Sequence, residues 1–208
     1  MYKSQYKQDY FLDVEIFHGK RSGVFVDVGA YDGFDISNTY HFEKDLGWTG
    51  VCIEPSPQTF ESLKRNRNCI LENCAIGDVE GELEFVNITG WGASASGFND
   101  TTGKILKTAK ECVEQHGGTW EIIKIPTYKL DTILKKHKLK TIDYMSIDVE
   151  GFEINAVKSI DWNKYYIQYL SVEKNVSIIE VTEHLTKFSY NIIVELEGDF
   201  IFKLNRLI

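Results

Sequence analysis

With 208 residues, the chain is long enough for one α/β domain with a full core and short for two. Hydrophobic residues at 43% and aromatics at 13% exclude a disordered chain, and no apolar run approaches the roughly 20 residues of a membrane span. A net charge of −8 excludes the basic face that a nucleic-acid partner requires. The polar N-terminus, MYKSQYKQDYFLD, has no signal-peptide core, so the expected compartment is the cytoplasm.

In chain order, the first strand spans residues 24–28 and runs into a glycine turn, VFVDVGAYDG, bracketed by Gly29 and Gly33. A helix is predicted over about 36–46, a strand over 50–54, a helix over 58–66 after Pro55 and Pro57, and a third strand over 69–74. Near-continuous apolar strands alternating with helices indicate a parallel sheet covered on both faces. The pattern then breaks. Residues 82–88 alternate like an edge or hairpin strand, 89–103 form a Gly- and Ser-rich loop carrying Trp91, and an amphipathic segment over 104–116 precedes a strand over 119–128. Connections of this length are usually functional, so the insertion over about 82–128 is the expected substrate lid. Alternation resumes with helix 130–137, strand 142–148, helix 152–159, strand 167–173 and helix 178–188. Strands 191–196 and 199–204 close the chain as a hairpin turning at Gly198 and Asp199. Cys52, Cys69, Cys74 and Cys112 contain no C-x-x-C pair and read as reduced, packed thiols.

In open α/β sheets a ligand sits outside the carboxyl ends of the strands. Strand one leaves Asp27 and the glycine turn there, and strand two leaves Glu54, 25 residues beyond Gly29. A carboxylate in that place can accept both hydroxyls of a ribose. Strand three leaves Asn73, Cys74 and Ala75, strand four leaves Asp148, Val149, Glu150 and Gly151, and strand five leaves Glu173, Lys174 and Asn175. Polar ends on all five strands point to one shared pocket. The spacing is G-x-x-x-G, which argues against the G-x-G-x-x-G of a nicotinamide-dependent oxidoreductase.

Seven blocks in order, SQYKQDYFL, FVDVGAYDGFDISNT, EKDLGWTGVCIEPSP, NCAIGD, KLDTIL, SIDVEGFEINAVKSID and LSVEKN, give the chain a resemblance to the FkbM-type S-adenosylmethionine-dependent methyltransferases over nearly its whole length. The resemblance implies a single domain over 1–208 with the Rossmann-like class I methyltransferase fold, a mostly parallel seven-stranded sheet with an antiparallel C-terminal hairpin strand and an inserted lid. It implies that Asp27, Gly29 and Gly33 hold the methionine end of S-adenosylmethionine, Glu54 its ribose, and Asn73, Cys74 and Ala75 its adenine. Asn38 would face the cofactor carboxylate at the start of the next helix, and Gln5 would fold over the cofactor with the N-terminal block. Ordinary helix capping is the plainer role for Gln5 and Asn38.

A hydroxyl acceptor needs a general base or a metal that stabilises its alkoxide. Asp148, Glu173 and Asn175 are hard oxygen ligands, placed like the divalent-metal site of catechol-type O-methyltransferases, so one reading has Mg²⁺ or Mn²⁺ bound there. In the other, no metal is used and Asp148 or Glu150 is the base. Lys174 stands where close relatives often carry His, and its fixed charge would neutralise Glu173 or steady an alkoxide. Glu153 fits a first-turn acid on a helix dipole. FkbM-type enzymes methylate mostly hydroxyls of macrolides, sugars and glycolipids. Trp91, Phe98 and Trp120 with their hydroxyl-bearing neighbours suit a sugar or glycan acceptor over another small molecule. A cofactor-binding domain without turnover is the non-enzyme alternative, and the acids retained at 148, 150 and 173 argue against it.

Overall fold

The computed structural model describes residues 1–90, 92–99, 103–174 and 178–205. The strands in chain order are β1 (Val24–Val28), β2 (Thr49–Ile53), β3 (Ile70–Glu72), β4 (Ala75–Ile76), β5 (Gly81–Ile88), β6 (Gly97–Phe98), β7 (Trp120–Tyr128), β8 (Thr141–Ile147), β9 (Tyr166–Glu173), β10 (Tyr190–Glu195) and β11 (Asp199–Leu204). Seven of them form one sheet in the order β10-β11-β9-β8-β1-β2-β3. The pairs from β3 to β9 are parallel, and β11 runs antiparallel to both β9 and β10. The chain moves outward from β1 through β2 to β3, then returns to lay β8 on the other side of β1. That reversal opens a crevice beyond the carboxyl ends of β1 and β8, the place such sheets offer a ligand.

β-branched and aromatic residues build the strands because both faces are covered. On one face, Val26, Val28, Ile147 and Val172 pack with residues of α5 (Leu130–Lys136), α6 (Glu153–Lys158) and α7 (Ile178–Thr186). On the other, Phe25, Cys52 and Tyr144 pack with Phe42 of α2 (Tyr40–Lys44) and Leu63 of α3 (Pro57–Asn66). The N-terminal segment covers part of that second face. A short helix, α1 (Gln8–Phe11), continues as a π-helical stretch, Leu12–Phe17, whose Leu12 and Phe17 are buried there.

Three local expectations change. The helix expected from residue 36 starts at Tyr40, because Ile36 sits at φ 51° and makes a parallel bridge with Ser4. The third strand splits in two, β3 staying in the large sheet while Ala75–Ile76 leaves it to pair with β7. Residues 82–88, expected as an edge or hairpin strand, are inner: β5 pairs antiparallel with β7 along its whole length and with β6 on its other side, in a second sheet of order β4-β7-β5-β6 that β4 joins from outside the insertion. Phe85, Phe98 and Ile125 make the core of this sheet. The amphipathic helix α4 (Lys104–His116) buries Ile105 and Ala109, spaced four apart, against it. Phe98 also stacks on Phe152, just before α6, with ring centroids 4.4 Å apart, which ties the second sheet to the end of β8. No helix among the described residues is long and apolar enough to cross a membrane.

Candidate active site

A cavity of about 490 Å³ opens where the ends of β1, β2 and β8 meet. Gln5, Asp27, Gly29, Asn38, Glu54, Cys74 and Ala75 line it, and so do Asp148, Glu150, Glu173 and Lys174. Glu54 and Asp148 therefore face one space. Gly33 and Asn73 do not line it, and Asn175 lies outside the described residues, as does Trp91.

The turn after β1 is fixed by close packing. A Cβ on Gly29, whose φ is +85°, would lie 1.7 Å from the carbonyl oxygen of Asp148. Only glycine allows the β1 turn and the tip of β8 to meet so closely. Gly33 is demanded from the opposite side: its φ is +74°, and a Cβ would sit 2.4 Å from Leu63 Cδ1 and 2.6 Å from Arg67 Cγ. Its glycine serves helix packing instead of ligand approach. Tyr31, Ile36 and Glu150 are non-glycine residues at φ 51°, 51° and 53°, and all three line the cavity. Such backbone costs about 1–3 kcal/mol per residue and gathers at functional sites.

Asp27 is buried under a network centred on Arg67, a residue that no sequence motif contained. Thr39 Oγ1 donates to it at 2.5 Å, and Arg67 Nη2 donates to that same hydroxyl at 2.9 Å. Arg67, fully buried, also pairs with Glu43 at 2.5 Å and lies 3.9 Å from Asp27. Burial raises the Asp27 carboxyl above its ordinary range, and the Arg67 charge and Thr39 hydroxyl pull it partly back. Asn38, 8% exposed, donates Nδ2 to Ser146 Oγ at 2.9 Å, and Ser146 in turn accepts from Ser171. With Nδ2 engaged, Asn38 Oδ1 is left buried with no partner among the described residues. A buried acceptor in that state is complete only with a ligand or water donor.

Glu54 accepts the backbone N–H of Tyr31 at 2.9 Å on one oxygen and that of Ser56 at 2.8 Å on the other. Burial pushes its carboxyl up to about 8, against the pull of those two N–H groups. Each oxygen keeps lone pairs for further donors, as a vicinal diol would supply. Asn73 works behind Glu54 and not on the cavity wall, donating Nδ2 to the carbonyls of Glu54 and Pro55 at 2.8 and 3.1 Å.

The far end of the cavity is acidic. Carboxylate oxygens of Asp148, Glu150 and Glu173 lie within 4.8 Å of one another. Burial, then the nearby Glu173 and Glu150, raise Asp148 well above the carboxylate range. Burial and Glu173 push Glu150 up to about 8, and the same two causes bring Asp199 to about 7. Asp199 accepts from Gln8 of the N-terminal segment. Lys174 gives its ammonium to Glu195, so it does not sit as a counter-ion directed at Glu173 alone. Glu153, buried in the first turn of α6, accepts from the N–H of Gly151 at 2.9 Å. On the side of the second sheet, Phe85, Ser94, Ser96 and Phe98 line the cavity. Trp120 does not, and packs instead with the cluster of Val86, Ile88, Ile105 and Ala109.

A mostly parallel seven-stranded sheet of this order, with a cleft at its reversal and carboxylates at the strand tips, has the Rossmann-like fold. The model of the methyltransferase FkbM domain matches residues 27–198, and the chain belongs to that family. Among solved structures it is similar to the methyltransferase FkbM from Methylobacillus flagellatus KT, at 14% identity and a TM-score of 0.53 over 88% of this chain and 43% of that one. The chain thus spans less than half the length of that relative. A methyltransferase from Pyrococcus furiosus matches at 10% identity and a TM-score of 0.44, covering 91% of this chain and 81% of that one. Precorrin-6y C5,15-methyltransferase from Geobacter metallireducens GS-15 matches at 9% and 0.41, covering 88% and 79%. No curated protein sequence matches the chain.

Proposed function

We propose that the protein is an S-adenosylmethionine-dependent O-methyltransferase acting on a hydroxyl of a sugar or glycan. The observation that carries this reading is the single cavity shared by Glu54 and Asn38 at one end and Asp148 and Glu150 at the other. The donor set fits the cofactor. Glu54 would take the ribose hydroxyls, the orphaned Asn38 Oδ1, an acceptor, would take the ammonium of the methionine end and not the carboxylate expected from the sequence, and Cys74 and Ala75 would border the adenine. Bound S-adenosylmethionine supplies an electrophilic methyl carbon on a sulfonium.

The chain's residues then have two tasks. Phe85, Phe98 and the hydroxyls of Ser94 and Ser96 seat a ring that is apolar on its face and polar at its rim, and hold its oxygen in line with the methyl carbon. Glu150 takes the hydroxyl proton as the new O–C bond forms. Its carboxyl near 8 is matched to that work at neutral pH. The triad of Asp148, Glu150 and Glu173 also favours a second reading of the same step, since three clustered carboxylates are a hard-oxygen donor set for Mg²⁺ or Mn²⁺. Such an ion would lower the pKa of the acceptor hydroxyl.

Calorimetric titration with S-adenosylmethionine, followed by transfer of a labelled methyl group to a panel of glycosides, tests the reading. Saturable binding and a methyl ether product support it. No binding at millimolar cofactor, or label recovered only on nitrogen or carbon, refutes it. Activity that survives thorough chelation removes the metal reading and leaves the proton to a carboxylate of the cluster.

A further inference from the structure

Cys52 and Cys69 form a pair outside the cavity. β2 and β3 are parallel with Cys52 opposite Leu71, which places Cys69, two residues earlier, on the same face one diagonal away. Their sulfurs are 3.5 Å apart. Cys52 is fully buried between β1 and β3, whereas Cys69 is partly exposed. Cys74 belongs to the core on the opposite face and Cys112 lies on α4, so neither competes for the pair.

We propose that Cys52 and Cys69 are a redox couple, closing a disulfide that staples the edge strand β3 to β2 when the protein meets a disulfide oxidant such as oxidised glutathione. A disulfide bond is about 2.05 Å long, so the two sulfurs must close by about 1.5 Å, through side-chain rotation together with a small shift of the edge strand. The division of labour follows from exposure. The Cys69 thiolate attacks the oxidant's disulfide, forming a mixed disulfide and releasing one glutathione thiolate. The Cys52 sulfur, having lost its proton to solvent or to that thiolate, then attacks Cys69 Sγ and expels the second glutathione. Two protein thiols are oxidised and one oxidant disulfide is reduced. Burial of Cys52 protects it from direct attack and leaves it the resolving role.

The staple bears on the site through β3. The N–H of Glu54 donates to the carbonyl of Glu72 at 3.0 Å, and Asn73 holds the Glu54 carbonyl. β3 has only three residues and Ile70 is exposed, so it is an edge that a crosslink would quieten. The proposal does not depend on the methyl-transfer reading, because both of its measurements use the free protein.

The wild-type protein is incubated with oxidised glutathione, then examined by thiol titration and non-reducing peptide mapping. The expected result is a fall from four titratable thiols to two, a Cys52–Cys69 peptide link, and reversal by dithiothreitol. Cys69→Ser should leave all remaining thiols free, and Cys52→Ser should stop at a glutathione adduct on Cys69. Amide exchange at Glu54 and residues 70–72 should slow at least tenfold in the oxidised wild type. Four free thiols after treatment, a link through Cys74 or Cys112, or unchanged exchange in linked protein would each overturn the proposal.

Discussion

Glu54→Gln probes the site with a signature that loss of a structural contact would not produce. The wild-type carboxyl sits at about 8 in the folded chain against an ordinary 4.5. An acid whose folded pKa is raised favours folding fully while it is protonated in both states. That contribution is lost as pH climbs from about 4.5 through 8. The slope is about 1.4 kcal/mol per pH unit inside that window, with a ceiling near 5 kcal/mol. Glutamine keeps the shape and removes the titration, so the stability curves should converge and then cross as pH rises. At acid pH the variant should be weaker, since its NH₂ faces either the Tyr31 or the Ser56 N–H, at a cost of about 1–3 kcal/mol. Urea unfolding from pH 5 to 8.5 measures the difference in slope.

The same substitution separates the ribose role. Two diol donors favour the ionised carboxylate, so cofactor binding at pH 7 should release a proton from the wild type and none from Glu54→Gln. Calorimetry in buffers of different ionisation enthalpy counts that proton. Affinity should fall about 10–150-fold, the equivalent of one hydrogen bond to a charged group worth about 1.5–3 kcal/mol. Parallel pH slopes in the two proteins, together with unchanged cofactor affinity, would refute both the burial argument and the ribose assignment.

Glu150→Gln should lower kcat by about 10²–10⁴-fold with little change in KM, and wild-type kcat/KM should rise with pH to a plateau above about 8; a flat kcat/KM profile from pH 6 to 9 counts against Glu150 as base. Arg67→Met should destabilise the chain by about 3–5 kcal/mol in urea, because it leaves Asp27 and Glu43 buried without their cation. Gly29→Ala should be more damaging than most core substitutions, about 4 kcal/mol or more by the same assay, since its Cβ meets backbone. Thermal melts that place Gly29→Ala within a degree or two of wild type would show that the β1 turn is not held by the Asp148 carbonyl.

The alternation of buried strands with helices carries enough periodic signal to indicate a parallel sheet covered on both faces, the family resemblance implies its seven strands, and the polar strand ends mark where it would hold a ligand. What the sequence conceals depends on contacts distant in the chain. Arg67 belongs to no motif, yet it joins Asp27, Thr39 and Glu43 across as many as 40 positions. Ile36 reads as the start of a helix because β-branched and apolar residues follow the glycine turn. Only the bridge to Ser4 shows why it takes a left-handed backbone instead. Asp199 reads as a turn residue. It becomes part of the cavity when the C-terminal hairpin folds back on β9 and Gln8 reaches it from the N-terminal segment. Trp120 shows the reverse error: an aromatic in an insertion suggests a binding face, but spacing along β7 turns it into the core under α4.

The raised carboxyls have a common physical meaning. Asp148, Glu150 and Asp199 are each displaced upward by burial first and by Glu173 next, and Lys104 offsets this only in part at Glu150. Lys174 is the one cation among the described residues lining the cavity, and Glu195 already engages it. A neutral ligand would leave the repulsion in place, and an anionic one would add to it. A cation would be drawn in and would lower all three pKa values together. Under the proposed function, a sulfonium beside a hydroxyl would be such a ligand, and the acids that attract it would lie next to the proton to be removed. The same acids would hold a neutral thioether product less tightly, so an arrangement that favours binding of the donor would also favour release of its product.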